Sequence, residues 1–459
     1  MQHYDILYGI MRINPLILVL NCILIVAFFT SWYFSYKRTG WLIDLWHFTL
    51  LMSYFMTFLL MYPFATAELN VLTIGPFNLA HARESITTAY FITLTGFMCF
   101  FIGGLIYRTN NTQTPIYWFL MMPFKKTLGT MYSYIVGSRI VTTLVFALYA
   151  SLMFFVLMLA FKAGMGNNPR GFFLKNDSLR PVFNLTNSIS GIASGLIIAR
   201  IFVYNQRYDK ILLALFIFLT FFIGSRGGAV GPLLSLFTNW LYFKKQGRIS
   251  FFTLAFVALG ILSLVAFLSF FRSGQGGSGA GVLNEILYGN SFSDLRDMSW
   301  IISVWDGNYF YGKTYLAAFM SFVPSSLSAF RMEWSIGKVT ARMAGYSPAE
   351  HPGVRPGTFG EVYLNFGIVG VIVLGILMGY STRYIDRKVK DAAKSKNVMS
   401  ALVSGKSGAL IGNLAITAGF FGFYISFIIF TVLFLLSLCM RFLKSDTGNT
   451  NQLSIQKDA

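Results

Sequence analysis

Long apolar runs recur along the chain, separated by short polar breaks. They do not alternate with period two, so they predict helices, and about twenty apolar residues suffice to cross a bilayer. The pattern predicts eleven spans, near 15–36, 41–64, 86–107, 139–161, 182–204, 210–225, 227–243, 250–271, 361–381, 399–418 and 420–440. Spans 210–225 and 227–243 are short, and Lys406 with several Gly and Ser dilutes 399–418, so ten and twelve spans stay open. One stretch breaks the pattern: 89 residues, 272–360, run without a span. Loops of that length carry function or are disordered. The expected organisation is therefore spans over 1–271, a large loop with interfacial helices over 272–360, spans again over 361–444, and a polar, disordered tail over 445–459.

Composition supports an all-α, polytopic membrane protein. Only 12% of residues are charged and 55% are hydrophobic, whereas soluble domains carry about 25% charged residues. Lipid solvent admits helices or closed barrels alone. Cys22, Cys99 and Cys439 all fall in apolar runs, so no disulfide framework, metal site or cofactor is indicated. The first run has no small-residue cleavage site and is expected to be retained. The net charge of +19 finds no basic soluble domain to act from, which argues against nucleic acid as a partner. In a membrane protein such charge sets topology and contacts lipid. No internal repeat is visible, which counts against a repeat-built transporter.

Basic residues in short loops mark the cytoplasmic side. Lys37 and Arg38, Lys125 and Lys126, Lys244 to Arg248, and the cluster from Arg383 to Lys396 all fall on one side of an eleven-span chain. The loop 272–360 then lies outside. Positive charge persists there, in Arg272, Arg296, Lys313, Arg331, Lys338, Arg342 and Arg355, and nearby in Arg170, Lys175, Arg180 and Arg226. It is explained either by pairing with the loop's own acids and lipid phosphates or, for a subset, by an anionic ligand.

Several residues carry candidate chemistry. In FFIGSRGGAVGPLL, Arg226 sits among Gly224, Gly227 and Gly228 between two spans. It either snorkels or binds phosphate, whose oxygens a guanidinium can bridge. Arg272 stands at the mouth of the loop, followed by a Gly-rich hinge that lacks the strand and helix of a dinucleotide site. SFSDLRD offers Asp294, Arg296 and Asp297, as an internal ion pair or with Asp294 as a base or sugar contact. Residues 314–328 predict a short re-entrant or interfacial helix. The segment HPGVRPGTFGE gathers His351, Arg355 and Glu361 between two Pro-Gly turns. Glu361 suits either a helix-dipole contact or a base, and His351 is a base candidate by its ordinary pKa. Arg139, Arg200, Asp44 and His47, near the cytoplasmic ends of spans, are expected to snorkel.

GSRGG at 224–228, YGKTYLAAFMSFVPSSL at 311–327 and GTFGEVYLNFGIVGVIVLGILMGY at 357–380 resemble the bacterial O-antigen and oligosaccharide repeat-unit polymerases of the Wzy type. The likeness covers mainly 210–385. It implies a GT-C-like helical fold in the bacterial inner membrane, active on the periplasmic face. It also implies an inverting, metal-independent glycosyl transfer from undecaprenyl diphosphate onto a lipid-linked repeat unit, with a Wzz-type chain-length regulator as a possible partner. On that reading Arg226, Arg272 and Arg355 surround the diphosphate. His351 or Glu361 is the base, and Asp294 is a sugar contact or alternative base. Arg170, Lys175, Arg180 and Arg296 are secondary basic candidates. An O-antigen ligase and a lipid-linked oligosaccharide flippase are the rival readings.

Overall fold

The computed structural model describes residues 14–42, 44–59, 62–63, 65–66, 80–110, 115–164, 169, 172–173, 176, 179–221, 226–250, 252–257, 259–260, 263, 293–323, 327–347, 353–413 and 415–445. Among these the chain is all-helical. Six helices are long and apolar enough to cross a membrane: Pro15–Thr39, Glu84–Tyr107, Arg139–Lys162, Val182–Tyr204, Gly357–Lys394 and Gly422–Met440. Each coincides with an expected span.

The first half of the chain forms α1 (Pro15–Thr39), α2 (Leu45–Leu50), α3 (Ala80–Asn110), α4 (Pro115–Gly137), α5 (Arg139–Lys162), α6 (Arg180–Tyr204), α7 (Arg207–Phe221) and α8 (Arg226–Phe243). Local chemistry sets several ends. Asn14 accepts the Leu16 N–H and Pro15 occupies the first turn of α1, which ends at left-handed Gly40. Ser138 caps α5 by accepting the Val141 N–H. The expected span 41–64 is not one regular α-helix, because α2 passes into a π-helical stretch, Leu51–Leu59. Helix α4 lies in what hydropathy leaves as a cytoplasmic loop. Its C-terminal half is buried against the end of the chain, with Ser437 donating to the Tyr134 carbonyl at 3.0 Å.

The large loop contributes α9 (Asp294–Val304), α10 (Lys313–Phe319), α11 (Ala329–Trp334) and α12 (Ile336–Met343). The chain then runs through α13 (Gly357–Lys394), α14 (Val398–Asn413) and α15 (Thr417–Ser445). The Gly-rich hinge with Arg272, and the tail 446–459, lie outside the described residues. The loop is more than a cover. Leu295, Met298, Trp300 and Ile301 of α9 are buried in the same core as Tyr90 and Phe100 of α3 and Leu364 of α13. A second core joins α4 to α7 with α14 and α15, around Ile135, Met153, Ile197 and Phe216. Helix α10 is short, as expected of 314–328. It rests on α15, where Tyr424 Oη donates to the Phe319 carbonyl at 2.8 Å. Exposed Leu316 and Phe319 suit an interfacial position.

Helices α3 and α13 cross through glycine. A Cβ on Gly103 would lie 2.1 Å from the Ile376 carbonyl oxygen, and one on Gly379 would lie 1.8 Å from that of Phe100. Small residues allow this backbone approach, which is how helices gain packing energy in lipid. Helix α13 is itself broken at Gly367, whose φ of 65° and ψ of −159° suit glycine alone. The break leaves carbonyls unsatisfied within the helix. The loop supplies the missing donors: Phe310 N–H bonds the Leu364 carbonyl at 2.9 Å, and Tyr311 N–H bonds that of Asn365 at 3.1 Å. Gly367→Ala is therefore expected to destabilise by about 1–3 kcal/mol from backbone strain. A Cβ there would also press on the Tyr309 ring at 3.1 Å. A lowered thermal midpoint of the purified protein checks this.

Three residues expected to snorkel do not. Arg200 is 2% exposed and donates from Nε to Asp209 at 2.9 Å and from Nη1 to the Val136 carbonyl at 2.7 Å. A paired, hydrogen-bonded guanidinium tolerates burial at the turn between α6 and α7. Asp44 and His47 are also buried and bonded to each other, Oδ1 to Nδ1 at 2.8 Å.

Candidate active site

The start of α9 gathers charge. Ser293 precedes the helix, with Asp294 and Asp297 in its first turn, where acids complement the exposed N–H groups. Ser293 Oγ donates to Asp297 Oδ2 at 2.9 Å. Arg296 donates to Asp297 Oδ1 from Nε at 3.0 Å and from Nη2 at 2.8 Å. This secondary basic candidate thus serves the internal ion pair that the SFSDLRD spacing also allowed. Its side chain is buried.

Arg355 arrives from the far end of the loop. Its Nη2 donates to Ser293 Oγ at 2.9 Å, and its Nε lies 3.6 Å from Asp294 Oδ1. The backbone before it is pinned. Gly353 takes a φ of 104° because its Cα lies against Gly337, where a Cβ would meet the carbonyl oxygen at 2.4 Å. Val354 N–H then bonds Thr340 Oγ1 of α12 at 3.1 Å. Pro356 leads directly into α13. The Arg355 side chain is 54% exposed and that of Asp294 is 24% exposed. A cation open to solvent thus stands over a largely covered carboxylate. Burial raises the Asp294 pKa above the usual carboxylate value, the Arg355 charge works against the rise, and Asp297 adds to it.

Other loop cations have structural duties. Arg331 donates to the Ser321 and Val323 carbonyls, and Arg342 to those of Met332 and Glu333. Lys313 lies 4.3 Å from the Trp334 ring centroid. Much of the positive charge expected outside is thereby explained by the loop's own folding. Arg355 differs in being exposed beside an acid.

Glu361 follows on α13 and is 2% exposed. Its Oε2 accepts the Thr417 N–H at 3.3 Å, so it complements the start of α15 as well as lying in the first turns of its own helix. Its Oε1 has no hydrogen-bond partner. One turn on, Asn365 Nδ2 donates to Thr314 Oγ1 and to the Glu361 carbonyl, each at 2.8 Å. These contacts tie α10, α13 and α15 together. Glu361 is thus enclosed, whereas Asp294 is partly open to solvent. Beside them, an apolar groove of about 370 Å³ runs along α13 past Val362, Phe366, Val369 and Val373, with Tyr315 and Ala415 also lining it.

The remaining sequence-predicted residues are placed less fully. Arg226 begins α8 and Arg180 begins α6. Tyr242, near the end of α8, donates to Asp386 of α13 at 3.5 Å. His351, Arg272, Arg170 and Lys175 lie outside the described residues. Ser293, Asn365 and Thr417 were not singled out from the sequence. Ser293 alone carried a signal, as a capping residue type followed by acids in a first turn.

Asp294→Asn tests the carboxylate. A carboxylate acts as a base only when ionised, so any activity that used Asp294 as one would fall as pH drops through its pKa. With that pKa raised, the acid limb of kcat/KM is expected above about pH 4, the ordinary carboxylate range. The limb should vanish in Asp294→Asn along with most of the rate. An unchanged limb in the variant would assign it to another group.

Comparison with known proteins adds nothing to this geometry: no family model matches the chain, no curated protein matches it, and no solved structure matches its fold.

Proposed function

We propose that this protein is a repeat-unit polymerase of the bacterial inner membrane, a membrane glycosyltransferase working on polyprenyl-diphosphate-linked oligosaccharides. The observation that carries this reading is Arg355, half-exposed, bonded to Ser293 and set beside Asp294. A guanidinium there suits a diphosphate, and a carboxylate next to it suits a sugar hydroxyl. The apolar groove along α13 suits the isoprenoid tail.

In the reaction, the hydroxyl of a lipid-linked acceptor repeat attacks the anomeric carbon of the donor glycan. The bond from that carbon to the diphosphate oxygen breaks as the new glycosidic bond forms on the opposite face, with inversion. Undecaprenyl diphosphate departs with the bonding pair. Asp294 takes the acceptor's proton, and His351, four residues before Arg355, is the second group able to do so. Arg355 meets the charge developing on the diphosphate, with Arg226 and Arg272 as further contacts. The diphosphate itself activates the donor, so no nucleotide enters the scheme. The GT-C-like fold, the periplasmic placement of the site and the Wzz-type regulator belong to the same proposal.

Deletion in a bacterium that carries the gene tests it. Loss of a polymerase leaves glycans of a single repeat on lipid A core. A bare core would identify a ligase instead, and an unchanged ladder would contradict both.

A further inference from the structure

A second site lies at the opposite, basic end of the bundle. Helices α1, α2, α3 and α13 surround a cavity of about 560 Å³. Its polar lining includes Lys37, Arg38, His47 and Arg383, and its apolar walls include Phe34 and Phe101. No acidic residue lines it among the described residues.

Two carboxylates stand behind this lining, and their charge is already met. Asp44 Oδ1 accepts the His47 N–H at 2.7 Å and pairs with His47 Nδ1, while Oδ2 lies 3.4 Å from Lys390 and 3.7 Å from Arg383. Asp386 lies 2.7 Å from Lys390 and accepts the Leu45 N–H at 2.9 Å. Arg383 and Lys390 thus balance Asp44 and Asp386. Lys37 and Arg38 are surplus charge, exposed at the end of α1 and without an ion pair among the described residues. Four buried atoms also lack hydrogen bonds, Ser35 Oγ, Trp46 Nε1, His47 Nε2 and Arg383 Nη1, and all four side chains line the cavity. His47 is 1% exposed. The cavity therefore combines uncompensated positive charge with unused hydrogen-bonding capacity, which is what a bound oxyanion supplies partners for.

The walls specify the kind of anion. Phe34 and Leu105 line the cavity and are exposed, and α1 presents Leu16, Val19, Ile23 and Val26 outward as a lipid-facing helix. A soluble anion would gain nothing from such a rim. A lipid would seat its phosphate among the cations and lay its chains along α1.

We infer that this cavity is a binding site for the phosphate headgroup of an anionic phospholipid in the leaflet at the basic end of the bundle. It is separate from the Arg355 cluster and does not depend on the glycan chemistry proposed for it.

Native mass spectrometry of the delipidated protein in neutral detergent tests this, with phosphatidylglycerol, phosphatidylcholine of the same chains, and inorganic phosphate as probes. The wild type should retain phosphatidylglycerol over phosphatidylcholine. The double variant Lys37→Gln/Arg38→Gln should lose retention by about fivefold for each charge removed. Both side chains are exposed, so its melting without lipid should match the wild type. The control pair Lys244→Gln/Lys245→Gln, at another basic turn, should retain lipid normally. An equal loss in the control pair would overturn the site as no more than general surface attraction. Equal retention of phosphatidylcholine, or equally strong binding of inorganic phosphate, would overturn the assignment to an anionic lipid.

Discussion

Arg355→Ala is expected to stop chain growth while leaving the protein folded in the membrane. The reaction proposed above develops negative charge on the departing diphosphate, and a fixed cation in a partly water-excluded site stabilises it. Removing one such preorganised partner costs about a hundredfold to a thousandfold in kcat. The structural cost should be small. The side chain is 54% exposed, and its contact with Asp294 is a 3.6 Å pair near solvent, worth about 0–1 kcal/mol. Ser293 keeps its bond to Asp297 without Arg355. Cells carrying the variant should therefore contain normal amounts of protein but glycans of one repeat. Arg355→Lys should recover only part of the rate, because an ammonium cannot bridge two phosphate oxygens as a guanidinium does. A full glycan ladder from Arg355→Ala would remove this residue from the chemistry.

Gly379→Leu is expected to do the opposite, destroying the fold rather than the chemistry. The crossing of α3 and α13 leaves no space for a side chain at this position. The first added carbon would fall 1.8 Å from the Phe100 carbonyl oxygen, a backbone atom that cannot rotate away. Overpacking of a well-fitted core costs about 1–3 kcal/mol and sometimes more. Here a whole isobutyl group must fit between two backbones, so the helices must separate. They carry Phe359 and Phe100 of the first core, and their separation would also release α9 and the Asp294 cluster from α3. Fluorescence-detected size exclusion after detergent extraction should show loss of the monodisperse peak. Gly405→Leu provides the comparison, since nothing lies within 4 Å of a Cβ there. Equal behaviour of the two variants would mean that the α3–α13 crossing does not hold the fold together.

Hydropathy made the long helices legible because lipid solvent imposes a length and an apolar composition on them. It failed where other forces decide. Helix α4 was missed because Pro123, Lys125 and Lys126 interrupt its apolar run. Its burial comes from packing against α14 and α15, which no local window sees. The break at Gly367 was equally hidden, since its sequence neighbours Gly360, Gly370 and Gly375 are all accommodated within the helix. Arg200 looked like a snorkelling end residue because Asp209, its partner, lies across a turn in the next helix.

The candidate site was half legible. SFSDLRD and HPGVRPGTFGE stood out as charge within a loop, and the structure joins them through Arg355, Ser293 and Asp294. Their meeting depends on α9 inserting beside α3, a packing event set by Leu295, Met298 and Ile301. Such non-local convergence has no signature in spacing. Nor does the exposure that separates Asp294 from Glu361, because both read as loop-end carboxylates in the sequence.

The most direct test is reconstitution. Purified protein in detergent, supplied with undecaprenyl-diphosphate-linked repeat units and nothing else, should convert them to ladders spaced by whole repeats and release undecaprenyl diphosphate. The same preparation of Arg355→Ala should yield ladders at least a hundredfold more slowly. Unextended repeats from folded wild-type protein, with no undecaprenyl diphosphate released, would contradict the account.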